Sequence, residues 1–357
     1  MNVSMYTSWD TTCGIADYSC QFKAALEKTG VAVRIVPVGK KKGLFDLIRN
    51  GKMMNNADVA LIQHQFPFFA HSFLIRSFVH CVFFLRQIKI PKVLTMHEVV
   101  PLGDQLGRFS FLRLYQTIFA SVDLITVHTE KHREIVLEMG IQADKVMLMP
   151  HPIPEVTPPL DAKQHYKTLL GLEGKQVLTV FGFFNSRKGY ELVLDAIQDL
   201  DDCVFLIAGG PFPGDKSGYA ERLINTIKEM NLEQRVKILG YLPESQIPAV
   251  MGATDIVLAP FRDMPGSGSL SLGVAYGKAI IGSDIEQMKE LQTRGIGAEL
   301  FQIDKRGDLR EKIVALTGDA RRQAELEQLS KSYADTYSYS NTAVRLEKRC
   351  AALILKS

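Results

Sequence analysis

The sequence has no apolar stretch long enough to cross a bilayer. Its most apolar run, Phe66 to Ile90, is interrupted by His71, Arg76, His80, Arg86 and Lys89, whereas a spanning helix needs about 18 apolar residues in succession. The opening residues MNVSMYTSWD have neither the basic nor the apolar region of a secretory signal, so export by that route is not expected. Cysteines are few and scattered: Cys13, Cys20, Cys81, Cys203 and Cys350 lack metal-ligand spacing, the usage of a reducing compartment, and a cytoplasmic location is expected. An excess of one charge is also missing. Forty-two Lys and Arg face 39 Asp and Glu, a net +3 with no basic stripe or binding motif, so no nucleic-acid partner is expected. The pair His128 and His132 stands in the order HTEKH rather than HExxH. With no third ligand in sight, no metal is expected.

What the sequence does have is enough apolar residue, 46% against 23% charged, over 357 residues, to form more than one core. Short β-branched runs alternate with helical stretches, the pattern of parallel sheets covered on both faces, and the fold class is α/β. The strands predicted in the first half are Asn2–Tyr6, Ala32–Val36, Asp58–Ile62, Lys92–Met96, Asp123–Val127 and Lys145–Met149. In the second half they are Gln176–Phe181, Cys203–Ala208, Val236–Leu239, Asp255–Ala259 and Ala279–Gly282. Between the halves, MPHPIPEVTPP is too rich in proline for a helix or a central strand and reads as a linker. Near the end Leu346, Cys350, Leu353 and Ile354 share one helical face, so a terminal amphipathic helix is expected to dock on an apolar surface.

Ligands of open α/β sheets bind beyond the carboxyl ends of strands, and four such places stand out. In TSWDTTCGIADYS, Gly14 precedes a helix; it either lets backbone amides approach a phosphate or sugar, or makes a tight turn. In VFGFFNSRKGYELVLDAI, Arg187 and Lys188 follow a strand at a helix start, either as a diphosphate clamp or as two solvated cations. In PFRDMPGSGSLSLG, Ser267, Gly268, Ser269 and Leu270 open a helix, as an anion cradle or as ordinary capping. His64 and His97, the latter followed by Glu98, close apolar first-half strands, as ligand contacts or as core histidines.

Taken in order, these segments resemble a family 4 retaining glycosyltransferase over nearly the whole chain. CGIADYS resembles the glycine loop, TMHEV the histidine loop, MPHPIP the start of the linker and FGFFNSRKG the phosphate loop. FLIAGGP and LGYLPESQIPAVMGATDIVLAPF resemble the nucleotide-pocket elements, and GVAYGKAIIGSD the closing helix-strand unit. The resemblance implies a GT-B fold, two Rossmann-like domains facing across a cleft, with the C-terminal helix crossing back to the first. The implied domains are residues 1–153 for the acceptor, a linker at 154–174, residues 175–336 for the nucleotide sugar, and the crossing helix 337–357. It further implies transfer of a hexose from a UDP- or GDP-sugar to a glycan or lipid-linked acceptor, with no cofactor and no metal. The implied catalytic residues are His97, Arg187 and Lys188. Donor contacts fall at Gly14, Leu242, Asp263, Ser267, Gly268, Ser269 and Leu270, and acceptor-side contacts at Ile15, His64 and Glu98.

Two departures accompany the resemblance. The family's paired glutamates fall at Met264 and Leu272, with Asp263 as a substitute for the first, and the arginine of the phosphate strand falls at Phe183, with Arg187 as its substitute. The missing carboxylates keep open an inactive nucleotide-sugar binder or accessory subunit; a GT-B epimerase or phosphorylase fits less well, since there is no lysine motif for a pyridoxal cofactor and the histidine and carboxylate signals for epimerase chemistry are incomplete. Finally, FPFFAHSFLIRSFVHCVFFLRQIKIPK mixes Phe with Arg76, Arg86, Lys89 and Lys92. It is either a core helix or one that rests peripherally on the inner face of the membrane.

Overall fold

The computed structural model describes residues 1–11, 13–39, 43–70, 74–99, 108–157, 162–211, 217–263 and 268–356. They divide into two compact units, Met1–Pro152 with Tyr337–Ser357, and Ile153–Thr336. Each is built on a six-stranded parallel sheet flanked by helices.

In the first unit the strands are β1 (Asn2–Thr7), β2 (Ala32–Pro37), β3 (Val59–His64), β4 (Lys92–Met96), β5 (Leu124–Val127) and β6 (Val146–Leu148), in the order β2-β1-β3-β4-β5-β6. Every residue of β3 and β5 is buried, because helices cover both faces. Alternation along each strand then splits the side chains between two cores. Tyr6, Ala60, Ile62 and Leu94 join Phe78, Phe84 and Phe119 on one side. Val3, Met5, Leu61 and Val93 join Tyr18, Phe22, Tyr339 and Leu346 on the other. That second core contains the terminal helix Tyr339–Ile354, which packs on helix Gly14–Lys28 and thus returns the chain to the first unit.

In the second unit β7 (Gln176–Phe181), β8 (Cys203–Ala208), β9 (Val236–Ile238), β10 (Ile256–Ala259), β11 (Ala279–Ser283) and β12 (Ala298–Phe301) lie in the order β12-β11-β10-β7-β8-β9. The edge strand β12 was not among the strands expected. It is short, half-exposed at Glu299 and Leu300, and preceded by Gly295 and Gly297, so its sequence carries little strand signal. Within the stretch expected as linker, Ala162–Leu170 is a helix packed on helix Ile247–Ala253. It carries Lys163 and Lys167 to the buried carboxylate of Asp255, which also accepts from Val177 N at 2.7 Å.

Candidate functional site

Strand order reverses between β1 and β3 in the first sheet and between β7 and β10 in the second. At such points loops leave the carboxyl edge in opposite directions and open a crevice. The two edges are built differently.

At the second sheet, Gly182 (φ +120°) ends β7, and Asn185 turns the chain by accepting from Arg187 N at 3.1 Å. Gly189 (φ +64°) then starts helix Tyr190–Ile197. A Cβ on Gly189 would lie 2.1 Å from Pro260 O, and Arg262 N donates to Arg187 O at 2.8 Å. The loop after β7 is therefore pressed onto the loop after β10, which only glycine permits. Gly209, after β8, is equally constrained, since its Cβ would sit 1.8 Å from Gly182 O. Ser283 Oγ donates to Phe261 O and fixes the β10 loop from the other side.

These contacts position the cations. Lys188 Nζ lies 3.5 Å from Phe181 O and 4.2 Å over the Phe261 ring. Burial, with Arg187 alongside, pushes its ammonium down to about 8. The neighbouring Arg187 is exposed and only loosely paired with Asp263, at 3.9 Å. Helix Gly268–Ala275 starts at the same edge, drawn onto β10 by Gly273 against Val257. Its first residue, Gly268, has nothing within 4 Å of an added Cβ, and Leu270 is buried. Of the other expected donor contacts, Ser267 lies outside the described residues, as does the side chain of Ser269; so does Met264, where the first family glutamate is missing. Leu242 is buried in an apolar cluster with Leu206, Ala208 and Val250. The Asp-x-Asp triplet Asp199–Asp201 lies in the turn before β8, at the opposite edge of the sheet.

At the first sheet, Cys13 caps helix Gly14–Lys28, its Sγ accepting from Ala16 N at 3.4 Å. Gly14 has no positive φ and nothing within 4 Å of an added Cβ, so neither turn nor packing demands glycine there. Ile15 is half-buried and Glu98 exposed on the same edge. His97 Nε2–H donates to Gln63 Oε1 at 2.7 Å, and its ring meets Tyr18 edge-on at 5.0 Å and His128 at 5.1 Å. His128 Nδ1–H donates to Met149 O at 2.8 Å, and His151 lies 5.7 Å further on. Burial keeps the imidazoles of His97, His128 and His151 neutral, that of His128 down at about 3. Tyr18 Oη, Gln63 Nε2 and His128 Nε2 are buried without a partner. Among the described residues no three His, Cys, Asp or Glu side chains are grouped as metal ligands.

His64, expected on the acceptor side, is instead in the core. It is fully buried, stacked on Phe69 at 5.4 Å and edge-on to Phe66 at 4.9 Å. The reason is strand alternation: Gln63 and His64 point to opposite faces, and only Gln63 can reach His97. The same alternation was the signal by which Gln63 could have been found.

Residues 163–333 match the glycosyl transferases group 1 family. The match covers the crevice between β7 and β10 with all its glycines and both cations. The chain is also 25% identical over 184 residues, 51% of its length, to an uncharacterized glycosyltransferase of Methanocaldococcus jannaschii, covering 50% of that protein. It is 25% identical over 163 residues, 42% of its length, to mannosylfructose-phosphate synthase of Agrobacterium fabrum, covering 35% of it. The chain thus spans half or less of the curated relatives it matches. Anabaena HepE, solved in complex with UDP, superposes with a TM-score of 0.78 at 15% identity over 99% of this chain and 100% of that one. The chain therefore shares the two-sheet α/β fold of that glycosyltransferase structure, and residues 163–333 within it are similar to the group 1 family.

Proposed function

We propose that the protein is a glycosyltransferase that moves a hexose from a UDP- or GDP-sugar to a glycan or lipid-linked acceptor in the cytoplasm, with retention of configuration. The observation that carries this reading is the half-buried Lys188 ammonium at the crevice between β7 and β10, beside helix starts and within the group 1 match. A cation held at this cost is favoured by an arriving diphosphate.

In this reading Lys188 and the amides opening helix Gly268–Ala275 hold the diphosphate, and Arg187 adds the charge that Phe183 does not supply. They stabilise the negative charge that grows as the sugar leaves, which is where preorganised donors count most. The departing phosphate takes the acceptor's proton on the same face, so no side-chain nucleophile is required. On the first unit, neutral His97 is held by Gln63 with its proton on Nε2 and offers Nδ1 to a sugar hydroxyl. The open space before Gly14 leaves the helix amides to phosphate or acceptor. No metal takes part, since the protein supplies the positive charge.

The test is a screen for nucleoside diphosphate release from UDP- and GDP-sugars, with and without chelator and candidate acceptors. Chelator-insensitive release from one donor is expected. Activity lost to chelator and restored by magnesium would overturn the metal-free mechanism. One observation favours a second reading, an inactive binder or accessory subunit: Met264 and Leu272 stand where the family resemblance puts carboxylates. Binding of a nucleotide sugar without release of diphosphate under any condition would establish that alternative.

A further inference from the structure

Helix Leu74–Gln87 has two apolar faces, and the first unit uses only one. Phe78, Cys81, Val82, Phe84 and Leu85 are in the core. On the opposite side Ile75, Val79 and Phe83, each four residues from the next, are 57%, 38% and 39% exposed. Isolated exposed apolar residues are ordinary on any surface, but three in line along one helix are not. The neighbouring helix Leu44–Met53 adds Phe45, 88% exposed. It is held close because a Cβ on Gly51 would meet Phe84 O at 2.7 Å and Gln87 Cβ at 2.8 Å. Beyond it, Asn55 Oδ1 accepts from Lys89 N at 2.7 Å. The two helices run side by side in the same direction, which carries Phe45 toward the early turns of helix Leu74–Gln87.

The charges on the stripe's own helix have one sign. Arg76, Arg86 and Lys89 are exposed, and the 74–92 segment contains no Asp or Glu. Across residues 38–92 the sequence has nine Lys and Arg against two Asp, although the whole chain is only +3. The rest of the sequence is therefore net acidic, and among the described residues Arg76, Arg86 and Lys89 are exposed on or just after the helix that carries the apolar stripe. Of the basic side chains on helix Leu44–Met53, Arg49 is partly neutralised by Asp46 at 3.3 Å, whereas Arg76 and Arg86 sit on the exposed face itself. A protein partner would call for apolar complementarity with charges of mixed sign. A stripe of Phe, Ile and Val edged by Arg and Lys, its one neighbouring carboxylate Asp46 paired with Arg49, matches a surface that is apolar just below a negatively charged layer.

We propose that the outer face of helix Leu74–Gln87, with Phe45, docks on an anionic bilayer surface. Ile75, Val79 and Phe83 enter the headgroup boundary while Arg76, Arg86 and Lys89 meet lipid phosphates and carboxylates. No helix among the described residues is long and apolar enough to cross a membrane, so the attachment is peripheral. The proposal does not depend on the transferase reading, because lipid binding is measured without any donor.

The test is co-sedimentation of the purified protein with vesicles of phosphatidylcholine alone and with about one-third phosphatidylglycerol, at low and high salt. Binding to the anionic vesicles alone, falling at least tenfold at high salt, is expected. Ile75→Ser with Phe83→Ser removes the apolar stripe, and Arg76→Gln with Arg86→Gln removes the charge. Each double variant should lose tenfold or more in lipid affinity while keeping the wild-type thermal unfolding midpoint. Because these residues are exposed, a variant that unfolds early is replaced by its Ala counterpart. No binding by the wild type, or equal binding by well-folded variants, overturns the proposal. So does concentration-dependent dimerisation that the same variants abolish in the absence of any lipid affinity, which would assign the stripe to a second copy of the chain.

Discussion

Replacing Lys188 with methionine should make the protein more stable and a poorer binder of UDP. Holding this ammonium at about 8 instead of its usual 10.5 costs the folded protein about 3 kcal/mol at neutral pH, at 1.36 kcal/mol for each pKa unit. Methionine keeps the stem and removes that cost. After allowing about 1 kcal/mol for the lost contact with the Phe261 ring, a gain of roughly 1–2 kcal/mol remains. Binding moves the other way: loss of one preorganised cation weakens the diphosphate contact by about 2–3 kcal/mol, some 30- to 150-fold. The pH dependence has a definite sign. In the free protein Lys188 is charged below pH 8 and neutral above it, so affinity is flat below pH 8 and falls about tenfold per pH unit above it. Stability runs oppositely, rising from pH 8 to 10.5 because over that range the unfolded chain binds the extra proton. Calorimetric titration with UDP from pH 6.5 to 9.5, on wild type, Lys188→Met and Lys188→Arg, tests all of this. The arginine variant should show no fall. A flat wild-type profile, or an unchanged dissociation constant in the methionine variant, would refute the assignment of the diphosphate to Lys188.

Arg187→Ala should leave thermal stability within about 0.5 kcal/mol, because its pair with Asp263 is long and exposed. It should still weaken UDP binding by about tenfold if Arg187 replaces the arginine absent at Phe183. Asp255→Ala strands the Lys167 ammonium in the interior and should cost about 3–5 kcal/mol in urea unfolding, with no change in the first unit's transition. Acid should destabilise the first unit. His64 and His128 titrate near 3 when folded against 6.5 normally, so stability present above pH 6.5 is lost as pH falls, about 2 kcal/mol for each by pH 5. Near-ultraviolet circular dichroism melts at pH 7.5 and 5.0 measure it, and His64→Phe should reduce the difference by about 2 kcal/mol.

Much of the fold could be read because parallel strands buried on both faces leave apolar runs, as VALI of β3 and CVFLIA of β8 do. The strand β12 could not, since an edge strand with Glu299 in it needs only one neighbour and little apolar surface. At the site, the glycines and the Arg187–Lys188 pair announced themselves by type. Direction did not. His64 and Gln63 are adjacent, and which of them turns toward His97 depends on a register fixed by β1 and β4. The cost of Lys188's position was equally invisible, because it depends on Phe261, some seventy residues away in the chain.

The return of helix Tyr339–Ile354 to helix Gly14–Lys28 has a consequence for biosynthesis. A ribosome releases Ile153–Thr336 as a complete unit while the first unit still lacks the helix that closes one of its cores. Until then the ring of Phe22, which Tyr339 later approaches to 6.3 Å, and the adjoining Leu26 and Val31 have no cover on that side. The first segment made is thus the last to finish folding, and its uncovered face is the place for a chaperone to act on the nascent chain. Translational pausing near residue 336 would prolong that exposure, and truncation there would make it permanent.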